Sequence, residues 1–426
     1  MWKPYLELPR PVYVLCLGTF LNRAGTFLLA FLTLYLSQER RLGVQLATLA
    51  MGAVGLGGLI AALLGGHLAD RFGRRLIMLV SLLGGAAVLL CFGSLTSPWS
   101  ILTALVVFSL ISDMYRPAAA AMIADLVEPQ RRAYAYGLMY VSINLGCTVA
   151  PIVGGLVAAY SYQWLFWGDA LTAILYAVII AAAIRETRPT GAALRHNVLG
   201  AEGGSRPLTR EGVKGGQDSR TSEGAADVSL IAAIQWMLKD RTFVLFALGT
   251  LFMAIVFVQC FSTLPLYMAQ LGHGPTRYGM VVAINGMMIV CLQLPVTAVI
   301  TGFPRGTILI VAAVLNAAGF GLVGLATGIG ALAVTVVVWT VAELMQSPLM
   351  SAIVSDLAPT ALRARYMGVL TMCFAGAMVV GGPIGGTVLA RLGGTYLWGG
   401  CLGVGLISAV LYSMVRRELT EGRGDA

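Results

Sequence analysis

Residues 46–96 read LATLAMGAVGLGGLIAALLGGHLA-DRFGRR-LIMLVSLLGGAAVLLCFGSLT, two long apolar runs divided by six residues of which four are charged. Each run is long enough to cross a bilayer as a helix, which takes about 20 apolar residues. The runs are continuously apolar rather than alternating, and far longer than the strands of about 10 residues that build a membrane barrel. A pair of membrane helices joined by a tight, basic turn is the predicted element. Working outward, the same pattern gives twelve spans: 12–36, 46–69, 76–96, 100–127, 133–160 and 164–184, then 243–270, 278–302, 307–327, 329–357, 366–390 and 394–415.

Composition agrees. The 426 residues are 58% hydrophobic and 11% charged, against roughly 25% charged in soluble domains. So few charges cannot cover a water-facing surface, which excludes a soluble enzyme, a coiled coil, a disordered scaffold and a secreted disulfide module. The first apolar run, from about Pro11, is too long for a signal-peptide core and reads as a retained span. Cys16, Cys91, Cys147, Cys260, Cys291, Cys373 and Cys401 all fall inside apolar runs without metal spacing and read as small buried hydrophobes. Three scattered histidines and no phosphate-binding Gly-Lys loop leave no catalytic constellation, so neither an enzyme nor an ATP-driven pump is expected, and no metal site. The net charge of +9 is spread through short loops. It is read as a topology and lipid signal, not as nucleic-acid binding.

Placing both termini in the cytoplasm puts 22 of the 28 Lys and Arg residues on that side, with only Arg40, Arg41, Arg277 and Arg391 outside. Trp99, Trp164 and Trp398 then fall at the outer interface. Residues 185–240 are a polar cytoplasmic linker, with 228–239 able to lie as an interfacial helix or lead into the next span. They separate a six-span unit at 1–184 from another at 241–417, followed by a tail at 418–426. The units repeat at an offset of 231: Pro117 and Pro348, Asp125 and Asp356, Arg132 and Arg363, Gly154 and Gly385, Arg74 and Arg305. Two like bundles facing each other make a cavity between them that rocking exposes to either side in turn.

The loop Gly66-His67-Leu68-Ala69-Asp70-Arg71-Phe72-Gly73-Arg74-Arg75 resembles the G-x-L-a-D-r-x-G-r-r pattern of the major facilitator superfamily, and the twelve-span layout extends the resemblance across nearly the whole chain. The resemblance implies that Asp70, Arg71, Arg74, Asp125, Arg131 and Arg132 form a cytoplasmic gating cluster that latches the outward-open state. Gly66 would let helices approach and Gly73 permit the turn. The second half offers only Thr301-Gly302-Phe303-Pro304-Arg305 there, so the latch is expected to be asymmetric. Gly146 to Gly155, with Pro151 and Gly154, is similar to the antiporter motif of the twelve-span drug:proton antiporters, with Ala150 in place of one glycine. In that family the motif seals one side of the cavity and goes with export.

Charges deep in spans carry the chemistry, because each costs several kcal/mol unless it meets a cavity or a partner. Arg23, Asp113, Arg116 and Glu343 all fall near mid-membrane. Asp113 and Arg116 are three apart, able to pair on one helix face, and resemble the Asp-x-x-Arg of some drug/proton antiporters. Asp113 and Glu343 precede Pro117 and Pro348 by four and five residues, one carboxylate per bundle; either is the expected proton carrier. Arg23 and Arg116 are the expected counter-charges or anchors for an anionic group. Asn22, Tyr35, Tyr115, Tyr140, Asn144, Gln259, Tyr267, Asn285, Gln293 and Gln346 are cavity candidates, and Asp169 is expected to be wet or hydrogen-bonded near the outer end.

The expected function is secondary transport by alternating access: proton-coupled efflux of a small amphipathic or cationic compound, by a monomer in the cell membrane, with the proton gradient in place of any cofactor. The alternatives are an uptake symporter or facilitator for a peptide, sugar or organic anion on the same fold, and a non-transporting membrane sensor or scaffold.

Overall fold

The computed structural model describes residues 7–128, 131–187, 236–359 and 362–421; within these ranges the side chains of Asp70, Ala133, Arg363, Ala364 and Glu421 are not described. Most of the linker, including 228–235 of the expected interfacial helix, lies outside the described residues. The described chain is all helix, turn and bend, without strand. Twelve helices or helix pairs are long and apolar enough to cross a membrane, one for each expected span.

The first bundle comprises α1 (Arg10–Ala24), α2 (Leu28–Leu34), α3 (Val44–Phe72), α4 (Arg74–Phe92), α5 (Pro98–Asp113), α6 (Tyr115–Leu126), α7 (Arg132–Ala158) and α8 (Gln163–Ala183). The second comprises α9 (Arg241–Ser262), α10 (Leu264–Gln270), α11 (Pro275–Ile300), α12 (Arg305–Leu322), α13 (Ile329–Leu357), α14 (Arg363–Arg391) and α15 (Gly394–Met414), with a short α16 (Arg416–Glu421) after it. The first span is broken between α1 and α2 at Gly25 and ends in a π turn at Tyr35–Glu39. The fourth is broken at Met114, between α5 and α6.

The helices alternate in direction, so one end of the molecule, here the terminal face, carries Arg10, Gly73, Arg132, Arg241 and Arg363. The distal face carries Val44, Pro98, Gln163, Pro275 and Gly394. The bundles meet through α3 on α14 and α7 on α11. Both seams are tight only in their distal halves. A Cβ built on Gly279 would lie 2.0 Å from the Pro151 carbonyl oxygen, and one on Gly55 would lie 2.8 Å from the Val379 amide. Thr276 donates to the Gly155 carbonyl at 2.9 Å, and Phe31 meets Tyr278 edge-on at 5.6 Å. Toward the terminal face α3 and α14 carry glycines that face open space: a Cβ on Gly66 or Gly368 would meet nothing within 4 Å. The crevice between the bundles therefore opens on the terminal face.

Trp99 and Trp164 are exposed at the distal rim, as an aromatic belt requires. Trp398 is not; it is fully buried against Tyr267. Its position on α15 turns it toward α10 rather than lipid, a rotation that span boundaries do not encode. Cys16, Cys260, Cys373 and Cys401 are buried free thiols, whereas Cys91, Cys147 and Cys291 are exposed on helix surfaces.

Because the distal seam closes by backbone approach at Gly279, Gly279→Val introduces overpacking worth about 1–3 kcal/mol. The expected outcome is a longer distance between spin labels at Ser97 and Thr327, on the distal face, with a lower thermal midpoint. An unchanged distance distribution would contradict the seam.

Candidate functional site

The crevice walls are asymmetric in charge. On the first bundle Arg116 is exposed, and its charge lies within electrostatic reach of Arg23, Asp113 and Cys147. On the second, Glu343 is half-buried on α13 and accepts from Asn285 Nδ2 at 2.7 Å; the same Nδ2 reaches Thr340 Oγ1 at 3.1 Å. Glu343 lies within electrostatic reach of Tyr140 and Cys147 across the gap. Tyr140 shares a hydrogen bond with Ser347 at 3.2 Å, a side-chain bridge between the bundles, and holds Asn144, whose Nδ2 donates to the Tyr140 carbonyl. Thus a carboxylate held only by neutral partners faces a wall carrying an exposed guanidinium.

The Asp113–Arg116 ion pair expected from their spacing is not formed. Asp113 Oδ2 instead accepts from Ser109 at 2.9 Å and points at Gly58 of α3, while Arg116 is exposed. With Arg23, Asn22, Ser81 and Asp169, Asp113 lines a cavity of about 120 Å³ inside the first bundle. Asp169 is buried, not wet. It accepts from the Leu28 amide at 3.5 Å and so caps α2 where the first span restarts.

Several cavity candidates lie elsewhere. Tyr35 is buried in a distal aromatic group with Phe92, Tyr162 and Phe166, its hydroxyl accepting from Arg40. Tyr267 packs on Trp398. Tyr115 is sealed in the first bundle, its hydroxyl shared with Thr19 at 2.9 Å and Tyr176 at 2.6 Å. Gln259 is fully engaged, donating to Ile255 and Gly381 carbonyls and accepting from Ser262 and Thr263. Gln293 ties α11 to the Leu344 carbonyl of α13, and Gln346 is buried. Tyr115, Gln259 and Gln293 bind helices to one another, whereas the buried Gln346 Oε1 has no hydrogen-bond partner.

At the terminal face Gly73 takes φ +106°, and Arg74 binds Asp125 at 3.1 Å. Asp70's side chain lies outside the description. Arg71 is exposed, Arg131 binds Glu7 at 3.1 Å, and Arg132 donates to the Val127 and Ala124 carbonyls. Sequence reasoning missed Glu186, which accepts from the Arg74 and Arg75 amides at 2.9 and 3.1 Å, and Thr187, which donates to Asp125 at 3.0 Å. No sequence signal marks them, since they follow the sixth span. The expected asymmetry of the latch turned on Asp70, whose side chain lies outside the described residues. Arg305 and Asp356 form the same ion pair in the second bundle, because the acid comes from the end of α13, not from the α11–α12 turn. The ion pairs Arg74–Asp125, Arg131–Glu7 and Arg305–Asp356 each stay within one bundle. In the motif of α7, Gly146 and Gly154 pack on Arg23 and Phe31 of the first span, whereas Pro151 and Gly155 pack on α11. Among the described residues no three His, Cys, Asp or Glu side chains gather as a metal centre.

The family model of the Major Facilitator Superfamily matches residues 15–301 and 260–425. The chain belongs to the major facilitator superfamily. Among superfamily relatives, the uncharacterized MFS-type transporter YqjV of Bacillus subtilis (strain 168) is 24% identical over 99% of this chain and 98% of its own. A Na(+), Li(+), K(+)/H(+) antiporter of Planococcus maritimus is 26% identical over 83% of each chain. The multidrug resistance protein MdtG of Serratia proteamaculans (strain 568) is 34% identical over 35% of this chain and 37% of its own. In fold the chain matches a solved POT family transporter, in complex with a thioalcohol conjugated peptide, with TM-score 0.77 at 18% identity, over 98% of this chain and 100% of that one. This is an integral membrane protein with the superfamily's twelve-helix fold, a secondary transporter of that type.

Asp169→Ala should uncap α2 and lower the thermal midpoint by an amount equivalent to about 1 kcal/mol, with Asp169→Asn retaining most of the stability. Equal midpoints for Asp169→Ala and the parent chain would remove the capping role.

Proposed function

We propose that this chain is a proton-coupled exporter of a small amphipathic or cationic compound, with Glu343 as the proton carrier. One observation carries the proposal: Glu343 stands half-buried on the crevice wall with Asn285 as its hydrogen-bond donor and without an ion-pair partner. A carboxylate there exchanges a proton with the crevice when the bundles part, and its charge decides whether a cation is held. Arg116 and Arg23 supply the opposing charge on the other wall, so Glu343 is the residue facing a cationic cargo. Asp113, the other carboxylate suggested by the sequence, is held by Ser109 within the first bundle. The basic residues of the terminal face support a cytoplasmic location for that face, on which reading the present conformation is inward-open. The protein acts as a monomer in the cell membrane, and the proton gradient replaces any cofactor. The likeness to a cation/proton antiporter and to MdtG supports export.

Exposed Arg116 favours a second reading, in which the cargo of an uptake symporter or facilitator is a peptide, sugar or organic anion with an acidic group. Sided assays in proteoliposomes separate the two. For export, an inside-out orientation with an acid interior should drive accumulation of a cationic dye, and Glu343→Gln should reduce it to the level of protein-free liposomes with an unchanged thermal midpoint. Gradient-driven accumulation by Glu343→Gln at the parent rate would overturn the assignment. Loss of transport only in Arg116→Ala, with uptake of an anion, would favour the second reading.

A further inference from the structure

The crevice opens on the terminal face, yet one side-chain bond spans it on the way in. Tyr140, Asn144, Cys147 and Pro151 recur at spacings of three and four, so they share one face of α7. Pro151 sets that face against α11 in the distal seam, and Tyr140 bonds Ser347 of α13 at 3.2 Å, so the face looks toward the second bundle along its length. The helix α7 starts at the terminal face and α13 ends there. Tyr140 therefore lies about 10 Å nearer that face than Cys147, and Ser347 lies about 6 Å nearer than Glu343. The bridge stands between the terminal mouth and the depth of Glu343 and Cys147. Just past that depth α7 and α11 close: a Cβ on Gly286 would lie 2.4 Å from Thr148 Oγ1.

The internal repeat carries the argument to the other flank. At the offset of 231, Ser347 corresponds to Arg116 and Tyr140 to Thr371. The match is anchored on both sides: Arg116 and Ser347 each precede a repeated proline, and Tyr140 and Thr371 each follow a repeated glycine by three residues. Thus α6 and α14 are the counterparts of α13 and α7. Thr371 is exposed, and its hydroxyl donates to the Met367 carbonyl of its own helix at 3.3 Å, which leaves the oxygen as an acceptor. Arg116 is exposed and carries only donors, none of them held by a hydrogen bond or ion pair among the described residues.

We propose that Tyr140–Ser347 and Arg116–Thr371 are two struts of one gate on the terminal side of the crevice. The first is made in this conformation, and the second is made when the terminal halves of the bundles close. The chemistry suits contacts remade in every cycle. A bond between two neutral hydroxyls contributes little net, and Tyr140 is exposed enough to take water when the bond breaks. Closure strips water from Arg116, whose charge then needs a partner at that depth, and the Thr371 hydroxyl supplies one. The gate stands independently of the cargo, of Glu343 as proton carrier and of the direction of transport.

The test reads access to the exposed Cys147 thiol, which lies past both struts. The whole purified chain in detergent is treated with the water-soluble reagent 2-sulfonatoethyl methanethiosulfonate. Modification of Cys147 is followed by peptide mass spectrometry, and the thermal midpoint of each variant is recorded. Each strut stabilises only the closed gate, so its loss shifts the population toward the open one. Tyr140→Phe and Ser347→Ala should each raise the rate about fivefold, equivalent to about 1 kcal/mol. Their double variant should match either single variant, because both remove the same bond. Thr371→Val should also raise the rate, and its effect should multiply with that of Tyr140→Phe, because the struts are separate. Parent rates in Tyr140→Phe and Ser347→Ala, or multiplied effects in their double variant, would overturn the first strut. A parent rate in Thr371→Val would overturn the second. Tyr140→Phe keeps the ring, so the comparison holds even where Ser347→Ala fails to fold.

Discussion

A charge placed in hydrocarbon must find water or a partner, and the architecture of this chain follows from that constraint. Twelve apolar helices could pack as one solid bundle. They do not, because Arg116 and Glu343 need an aqueous crevice, and a crevice between two six-helix bundles supplies it. The break of the fourth span at Met114 serves the same end. Around it Asp113 accepts from Ser109 inside the first bundle while Arg116 is exposed, so the two do not close as an ion pair. Two unpaired charges can exchange partners during transport, whereas a closed pair cannot.

The repeat divides framework from chemistry. Framework elements are duplicated: Arg74 binds Asp125 as Arg305 binds Asp356, each joining the start of one span to the end of the next within a bundle. The segment after the sixth span of each half returns to the same helix start. Glu186 accepts from the Arg74 and Arg75 amides, and Thr420 accepts from the Gly306 amide. Polar residues facing the interior are not duplicated: Ser112 stands opposite Glu343, and Asp113 opposite Leu344. A transporter needs like bundles to rock against each other and unlike walls to bind cargo, and the differences between the halves fall where binding would occur.

The twelve spans, the turn at Gly73 and the repeat were legible in the sequence because length, apolarity and short loops have no other solution in a bilayer. The depth of each charge was legible for the same reason, since rise per residue fixes it. Direction around the helix axis was not. Tyr115 and Gln259 share polarity with crevice residues, yet rotation turns them into the bundle, where Thr19, Tyr176 and the Gly381 carbonyl satisfy them. Three-residue spacing was the basis for the Asp113–Arg116 pair, and spacing does not fix which partner a side chain takes; Asp113 takes Ser109. Long-range partners such as Glu186 carry no local pattern at all.

The two seams explain how such a molecule changes state without unfolding. The distal halves of α3–α14 and α7–α11 close by backbone approach at small residues, with few side-chain bonds to break; Thr276 to the Gly155 carbonyl is one of them. Contacts of that kind separate without leaving buried charges unpaired, because the ion pairs Arg74–Asp125 and Arg305–Asp356 lie within bundles and travel with them. The terminal halves carry small residues too, Gly66 on α3 and Gly368 on α14, now facing open space. Closing there would mirror the distal seam and bring α3 and α14 together where the charged turn sits. The strongly polar groups then act as rigid joints inside each bundle, and weak, replaceable packing forms the hinge between them. The energy difference between the two states is set by small apolar contacts and by the charge on Glu343.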